Sequence, residues 1–220
     1  MAETGSRKTR ILDSAERLFA EHGYDGVTLR QIAALAGVDV ALTNYHFGSK
    51  TELFRAVFGR RAEILNQVRA DALQACLAAA HPAAPTLEAV IEAYLRPLGD
   101  IQSSADDGWR HYLSLVAWVN SSTEWGNELM TAYFNPFVQD FIAALRRILP
   151  EASEEALFWG YQFLSGALTL TFADTRRLDR LSGGRASSGE IETGYDYMIP
   201  FVAAGFERIC ARPTTPRPSS

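Results

Sequence analysis

Between Thr28 and Leu53 the chain carries three helix starts and two helix stops, and only a tight group of short helices can satisfy all of them. Thr28-Leu-Arg-Gln31 has the form of a capping box, in which the Thr hydroxyl accepts the N3 amide and the Gln side chain reaches back. It opens a short helix that turns Leu29, Ile32 and Ala33 inward and stops at Ala36-Gly37. After a tight turn at Val38, Asp39 is a good N-cap for a second short helix over about Val40 to His46. Phe47-Gly48 closes that helix, and Ser49-Lys-Thr-Glu52 repeats the capping-box form. A long helix follows, with Leu53, Phe54, Val57, Ile64, Leu65 and Val68 on its apolar side, ending near His81-Pro82.

The rest of the chain also reads as helix after helix. Ile11, Leu12, Ala15, Leu18 and Phe19 repeat at helical spacing and stop at Gly23. Pro85-Thr86 opens a segment to about Leu98, and Asp107 opens another through Trp109, Leu113, Val116 and Trp118. Thr123 opens a third, bent at Asn135-Pro136 and ended by Leu149-Pro150. Glu154 and Glu155 suit the positive end of the next helix. Ala156 to Ala173 carries no charge over 18 residues, the lower edge of membrane-spanning length. Its Gly, Ser, Thr and Gln content points to a buried helix of a soluble protein rather than an anchor. Arg176 to Ser188 reads as a loop, and a last helix carries Ile191, Tyr195, Met198, Val202, Phe206 and Ile209, bent at Pro200. Residues 1–7 and 212–220 read as frayed ends. No alternating pattern competes with the helical one, so the fold class is all-α.

Composition narrows the function less than the motif does. The net charge of −5 does not predict a nucleic-acid partner, but it is unevenly spread. The first 70 residues hold 10 Lys/Arg against 8 Asp/Glu, and the remainder 11 against 18. Two cysteines (Cys76 and Cys210) and the lack of an apolar leader fit a reducing cytoplasm, with no membrane partner. There is no nucleophile elbow, phosphate-binding loop or dinucleotide fingerprint. No two of His22, His46, His81 and His111 stand at the spacing of a helical metal site. An enzyme is therefore not expected, nor a catalytic residue, a cofactor or a metal.

Two short helices joined by a Gly-containing turn are a helix-turn-helix, whose purpose is to hold the second helix out where it can enter a major groove. That helix presents Val40, Ala41, Leu42, Thr43 and Asn44, all uncharged, so its backbone can approach DNA closely. Tyr45 and His46 supply donors at phosphate height. Lys50 adds a charge at a helix N-terminus, a ready anion site.

Thr28-Leu-Arg-Gln-Ile-Ala33, Ala36-Gly-Val38 and Tyr45-His-Phe-Gly-Ser-Lys50, ahead of Leu53-Phe54, resemble the N-terminal domain of tetracycline-repressor (TetR) family transcriptional regulators. The Ile11 to Gly26 segment is similar to that family's first helix. The resemblance implies a three-helix DNA-binding domain over residues 8–60, an effector-binding and dimerisation domain over 61–211, and a disordered tail over 212–220. It further implies a homodimeric repressor of a palindromic double-stranded operator, released by a small molecule. Thr28, Tyr45, His46 and Lys50 take the family's phosphate-contacting positions, and Arg30, Val40, Ala41, Leu42 and Asn44 its base-edge positions. Asn44 departs from the aromatic residue many members carry, and Asn can pair bidentately with adenine. Thr43 departs from the usual inward aliphatic, which leaves open how that turn faces.

On this reading the last two helices pair with their copies in a four-helix bundle. Tyr161, Leu164, Leu168, Ile191, Tyr195, Met198, Val202, Phe206 and Ile209 form the expected dimer interface, with Gly160, Ser165 and Gly166 allowing close approach. An effector site is expected among Trp109, Arg110, His111, Trp118, Trp125, Tyr133, Phe137, Phe141, Gln162 and Phe163, whose aromatic character suits an apolar or aromatic effector. The rival reading is a helical interaction protein with a degenerate head that no longer binds DNA.

Overall fold

A computed structural model of the chain describes residues 6–102, 106 and 108–211. Ser6, inside the expected frayed end, is an N-cap whose Oγ accepts from Thr9 N at 3.2 Å, and α1 runs Arg7–His22. The residue that follows, Gly23, takes φ 70°, which stops the helix at the expected place. The three elements of the motif are α2 (Leu29–Ala36), α3 (Val40–Phe47) and α4 (Lys50–Ala80). After these come α5 (Leu87–Gln102) and α6 (Gly108–Ser121). A single π-helical turn, Gly126–Met130, precedes α7 (Thr131–Ile148) in place of one helix running from Thr123. The remaining helices are α8 (Glu154–Phe172), a short α9 (Arg177–Ser182) inside the segment expected as a loop, and α10 (Ile191–Cys210). No strand occurs among the described residues.

Side-chain caps explain most of the starts. Thr86 Oγ1 accepts from Ala89 N at 3.2 Å and opens α5, and Ser153 Oγ does the same for Ala156 N at 3.2 Å before α8. Asp106 caps α6, its Oδ1 accepting from Gly108 N at 2.9 Å; the expected cap, Asp107, lies outside the described residues, as does the 212–220 tail.

The described chain divides into two compact units. The first takes in α1 to α3, α4 up to Asn66, α6, the π turn, α7 as far as Asn135 and the stretch Thr169–Asp174. Its core is Ile11, Ala15, Phe19, Ile32, Ala33, Leu53, Phe54, Val57 and Phe58, all buried, with Phe19 and Phe54 meeting edge to face at 5.0 Å. The helix α6 packs along α1, and Trp125 closes on Tyr24 and Phe54 at 4.8 and 4.9 Å.

Beneath them lies an ion cluster that apolar periodicity does not reveal. The carboxylate of Glu16, 2% exposed, accepts from Arg61 Nε at 2.8 and 3.0 Å and from Arg60 Nη2 at 2.9 Å. Arg61 also donates from Nη1 to Asp106 Oδ2 at 2.7 Å and lies over the Trp109 ring at 4.6 Å. Burial works against the Arg61 charge, but its hydrogen bonds to Asp106 and Glu16 outweigh it and hold its pKa above the usual value.

The second unit holds α4 from Gln67, α5 up to Asp100, α7 from Pro136, α8 up to Leu168, and α9 and α10. Leu73, Ile91, Leu95, Phe141, Ile142, Leu145, Leu164, Tyr195 and Phe206 fill its core. Gly160 lets α8 meet α10 closely, since a Cβ there would run into the Phe206 ring. No described helix is long and apolar enough to cross a membrane.

Candidate nucleic-acid interface

The local chemistry of the motif builds the head largely as its sequence dictates. Thr28 Oγ1 accepts from Gln31 N at 3.3 Å, while Gln31 Oε1 accepts from Thr28 N at 2.8 Å, a complete capping box. Gly37 adopts a left-handed conformation (φ 63°, ψ 43°), and its N–H donates to Ala33 O and Ala34 O. An L residue there would be strained, and the turn would open. Asp39 Oδ1 then accepts from Ala41 N at 2.7 Å and starts α3. The second expected capping box is only half formed. Glu52 N donates to Ser49 Oγ at 3.1 Å, but Glu52 Oε1 accepts from Arg55 Nη1 at 2.6 Å instead of reaching back, and Ser49 N donates to Phe47 O.

Helix α3 divides cleanly into an anchored side and a free side. Thr43 is fully buried and settles how the turn faces: inward, in the aliphatic role. Its Oγ1 has no hydrogen-bond partner, and a buried unpaired hydroxyl opposes folding. Thr43→Val, which keeps the shape and removes the hydroxyl, is expected to raise unfolding stability by about 1 kcal/mol. Chemical denaturation of the two proteins measures the difference; a loss of stability would show that the hydroxyl has a partner in solution.

On the free side, Ala41, Asn44 and Tyr45 are exposed, Tyr45 by 82%, while Val40, Leu42 and His46 are half-buried. Tyr45 and His46 meet edge to face at 5.4 Å, which limits the freedom of both rings. Thr28 and Arg30, at the start of α2, are exposed as well. The ammonium of Lys50 is placed differently from expectation. Its Nζ donates to Tyr24 O and Val27 O, both at 3.0 Å, and lies 4.1 Å from the Tyr24 ring centroid. Two of its three donors therefore tie the α1–α2 turn to α4, because those carbonyls have no helical partner and Lys50 is the nearest donor.

The expected dimer residues fall mostly on the inner side of their helices. Leu164, Leu168, Ile191, Tyr195, Val202 and Phe206 are buried within the chain, and Tyr161, Met198 and Ile209 are half-buried. A different set of side chains faces out: Phe158, Trp159 and Phe163 on α8, and Tyr197 and Phe201 on α10. Trp159 and Phe163 stack at 5.8 Å. Between the two helices lies an apolar groove of about 170 Å³ lined by Gly160, Phe163, Leu164, Phe201, Val202, Gly205, Phe206 and Ile209.

The expected effector residues are divided between the units. Trp109, Arg110, His111, Trp118, Trp125 and Tyr133 belong to the first, where Trp118 and Trp125 pack α6 and the π turn onto Phe54 of the head. Arg110 is exposed and His111 half-buried. Phe137 and Phe141 belong to the second unit and are buried against Tyr94, at 5.5 and 4.4 Å. Gln162 and Phe163 point outward rather than into the helical core, because α8 turns positions 157, 160, 164 and 168 inward. The residue missed by sequence reasoning is Arg69, 4% exposed on the inner face of α4. The signal was present: Arg69 stands four residues after Leu65 and four before Leu73, in line with the core.

Comparison with known proteins agrees with this architecture. Residues 11–57 match the family model described as bacterial regulatory proteins, tetR family. Residues 92–205, more than half of the chain, match the tetracyclin repressor-like C-terminal domain. Over 68 residues the chain is 40% identical to the HTH-type transcriptional repressor AcnR of Corynebacterium glutamicum, covering 29% of this chain and 36% of that one. The similarity thus spans about a third of that relative's length. A transcriptional regulator from Pseudomonas aeruginosa superposes with a TM-score of 0.61 over 94% of this chain and 95% of its own, at 16% identity. The multidrug binding protein EbrR, crystallised with imidazole, superposes with a TM-score of 0.54 over 96% and 98%, at 18% identity. With both the head and the helical domain matched, the chain belongs to the TetR family of bacterial transcriptional regulators.

Proposed function

We propose that the chain acts in the cytoplasm as a homodimeric repressor, which reads a palindromic operator through α3 and is released by a small apolar or aromatic effector. The observation that carries this reading is the free side of α3. On a helix fixed by Thr43, Asp39 and Gly37, it presents Ala41, Asn44 and Tyr45 without a single charge to hold DNA off. Small side chains let the helix enter a groove, Asn44 offers an amide to a base edge, and Tyr45 and His46 offer donors to the flanking phosphates. Two-fold symmetry is supported by the outward aromatics of α8 and α10, an apolar surface that a monomer rarely leaves uncovered. Release is supported by the packing of α6 and Trp125 directly on α1, Tyr24 and Phe54, so that movement of α6 is felt by the head.

Asn44 and Tyr45 carry separable roles. Asn44→Ala is expected to relax preference at one base position per half-site, by about 1–3 kcal/mol of discrimination. Tyr45→Phe should weaken binding to all duplexes alike and leave the salt slope unchanged, because it removes a neutral donor and no charge. Titrations of a bound duplex and its single-base variants at several salt concentrations separate the two. A uniform, sequence-independent loss from both variants would overturn the assignment, and unchanged binding in both would show that the DNA contacts lie on other residues.

A further inference from the structure

Arg69 is a buried cation without a counter-charge. It is 4% exposed, and no described carboxylate pairs with it. Its Nε donates to Tyr94 O at 3.2 Å, but Nη2 is buried with no acceptor. The guanidinium carbon lies 3.7 Å from the Tyr94 ring centroid and 4.8 Å from that of Phe137, so the group is clamped between two rings. A guanidinium stays charged at any physiological pH, and burying it with an unused donor opposes folding strongly. Such a group persists where something other than the resting fold requires it.

A second unpartnered donor lies in the same core. Tyr195 is fully buried and its hydroxyl has no hydrogen-bond partner. Burial pushes the hydroxyls of Tyr195 and Tyr161 well above the usual tyrosine range, while the Arg69 charge pulls both the other way. Both phenols are therefore protonated donors within electrostatic reach of the guanidinium. The cation of α5 is already engaged: Arg96 donates to Glu92, Glu192 and Asp196.

We propose that Arg69 and the Tyr195 hydroxyl form an anion-binding site in the core of the helical domain, and that its ligand is a monocarboxylate on an apolar, ring-sized body. The inference rests on the effector-released regulator described above and specifies its ligand. One guanidinium balances one negative charge and its fork matches a planar carboxylate. A phosphate monoester, with nearly two charges, would be left under-compensated here, the more so because the Glu192 charge also acts on Tyr195. Tyr94, Phe137 and Phe141 supply the aromatic surroundings for the body.

The test is calorimetric titration of the full-length protein, without DNA, using benzoate, 1-naphthoate, 1-naphthamide and phenyl phosphate. At least one acid should bind, and 1-naphthamide should bind at least about 10-fold more weakly than 1-naphthoate, as expected for loss of a charge-assisted pair. Arg69→Met should abolish the preference for the acid, and Tyr195→Phe should weaken acid binding several-fold. Arg69→Met without ligand should melt no lower than the parent, because it removes an unpaired buried charge. Equal binding of acid and amide, tighter binding of phenyl phosphate, undiminished binding by Arg69→Met, no acid binding, or a collapse in the melting of that variant would each overturn the proposal. The two readings fail separately. A protein that selects an operator but binds no acid refutes only this site, and one that binds acids through Arg69 but selects no duplex refutes only the regulator.

Discussion

Glu16→Ala is expected to lower the unfolding free energy by about 3–5 kcal/mol, the usual effect of removing one partner of a buried ion pair. Glu16 accepts from both Arg60 and Arg61, and Arg61 is 9% exposed, so the substitution removes the buried partner of both cations and leaves them only the exposed carboxylates of Asp13 and Asp106. The other carboxylate of the cluster behaves differently. Asp106 is exposed at 54% of its side chain, so Asp106→Asn is expected to cost less than about 1 kcal/mol. The Arg61 hydrogen bond holds the Asp106 carboxyl below its usual pKa. Its contribution is thus complete above about pH 4, the unfolded value, and fades as pH falls through the lower folded value. Urea denaturation of the two variants at pH 7 checks the contrast. Equal, small losses would show that the Glu16 cluster is open to solvent.

The second large effect concerns the face between α8 and α10. Phe201→Glu is expected to turn a dimer into a monomer that remains folded. Phe201 is 75% exposed within one chain, so its loss leaves the core intact. In a two-fold interface the residue occurs twice, and a central aromatic contributes about 2–4 kcal/mol each time. Phe206→Glu, five residues on, is expected to unfold the protein instead, because Phe206 is 1% exposed and packs on Gly160. Light scattering after size exclusion, read beside circular dichroism, distinguishes the outcomes. A dimer that survives Phe201→Glu would place the interface elsewhere.

These two cases also show how far the sequence was legible. Caps and stops are local chemistry, and so the boundaries of α1 to α4 can be read from Thr28, Gly37, Asp39 and Gly48 almost to the residue. Helix phase over long distances is not local. In α4, Ile64 and Val68 look like core residues but are 51% and 39% exposed, while Arg61 and Arg69 take the inner positions. An arginine with an ion partner or a ring stack packs where apolar counting expects solvent, and no hydrophobic pattern registers it. The same limit applies to α8 and α10. Both are apolar on more than one side, so periodicity found the helices but not which side meets the subunit's own core. For the placement of the α3 residues the reading went further, because α3 is short and capped at both ends. Lys50 departs from it, since the carbonyls of Tyr24 and Val27 that hold it are brought to it only by the fold.

The central claim is that α3 of a symmetric pair reads DNA. Its most direct test is selection of bound duplexes from a random library by the purified protein at near-physiological salt, before and after unfolding and refolding to strip any bound effector. The account predicts enrichment of a palindrome whose half-sites lie one or more helical turns apart, about 34–36 Å per turn. An enriched sequence without two-fold symmetry, or no enrichment even after refolding, would contradict it.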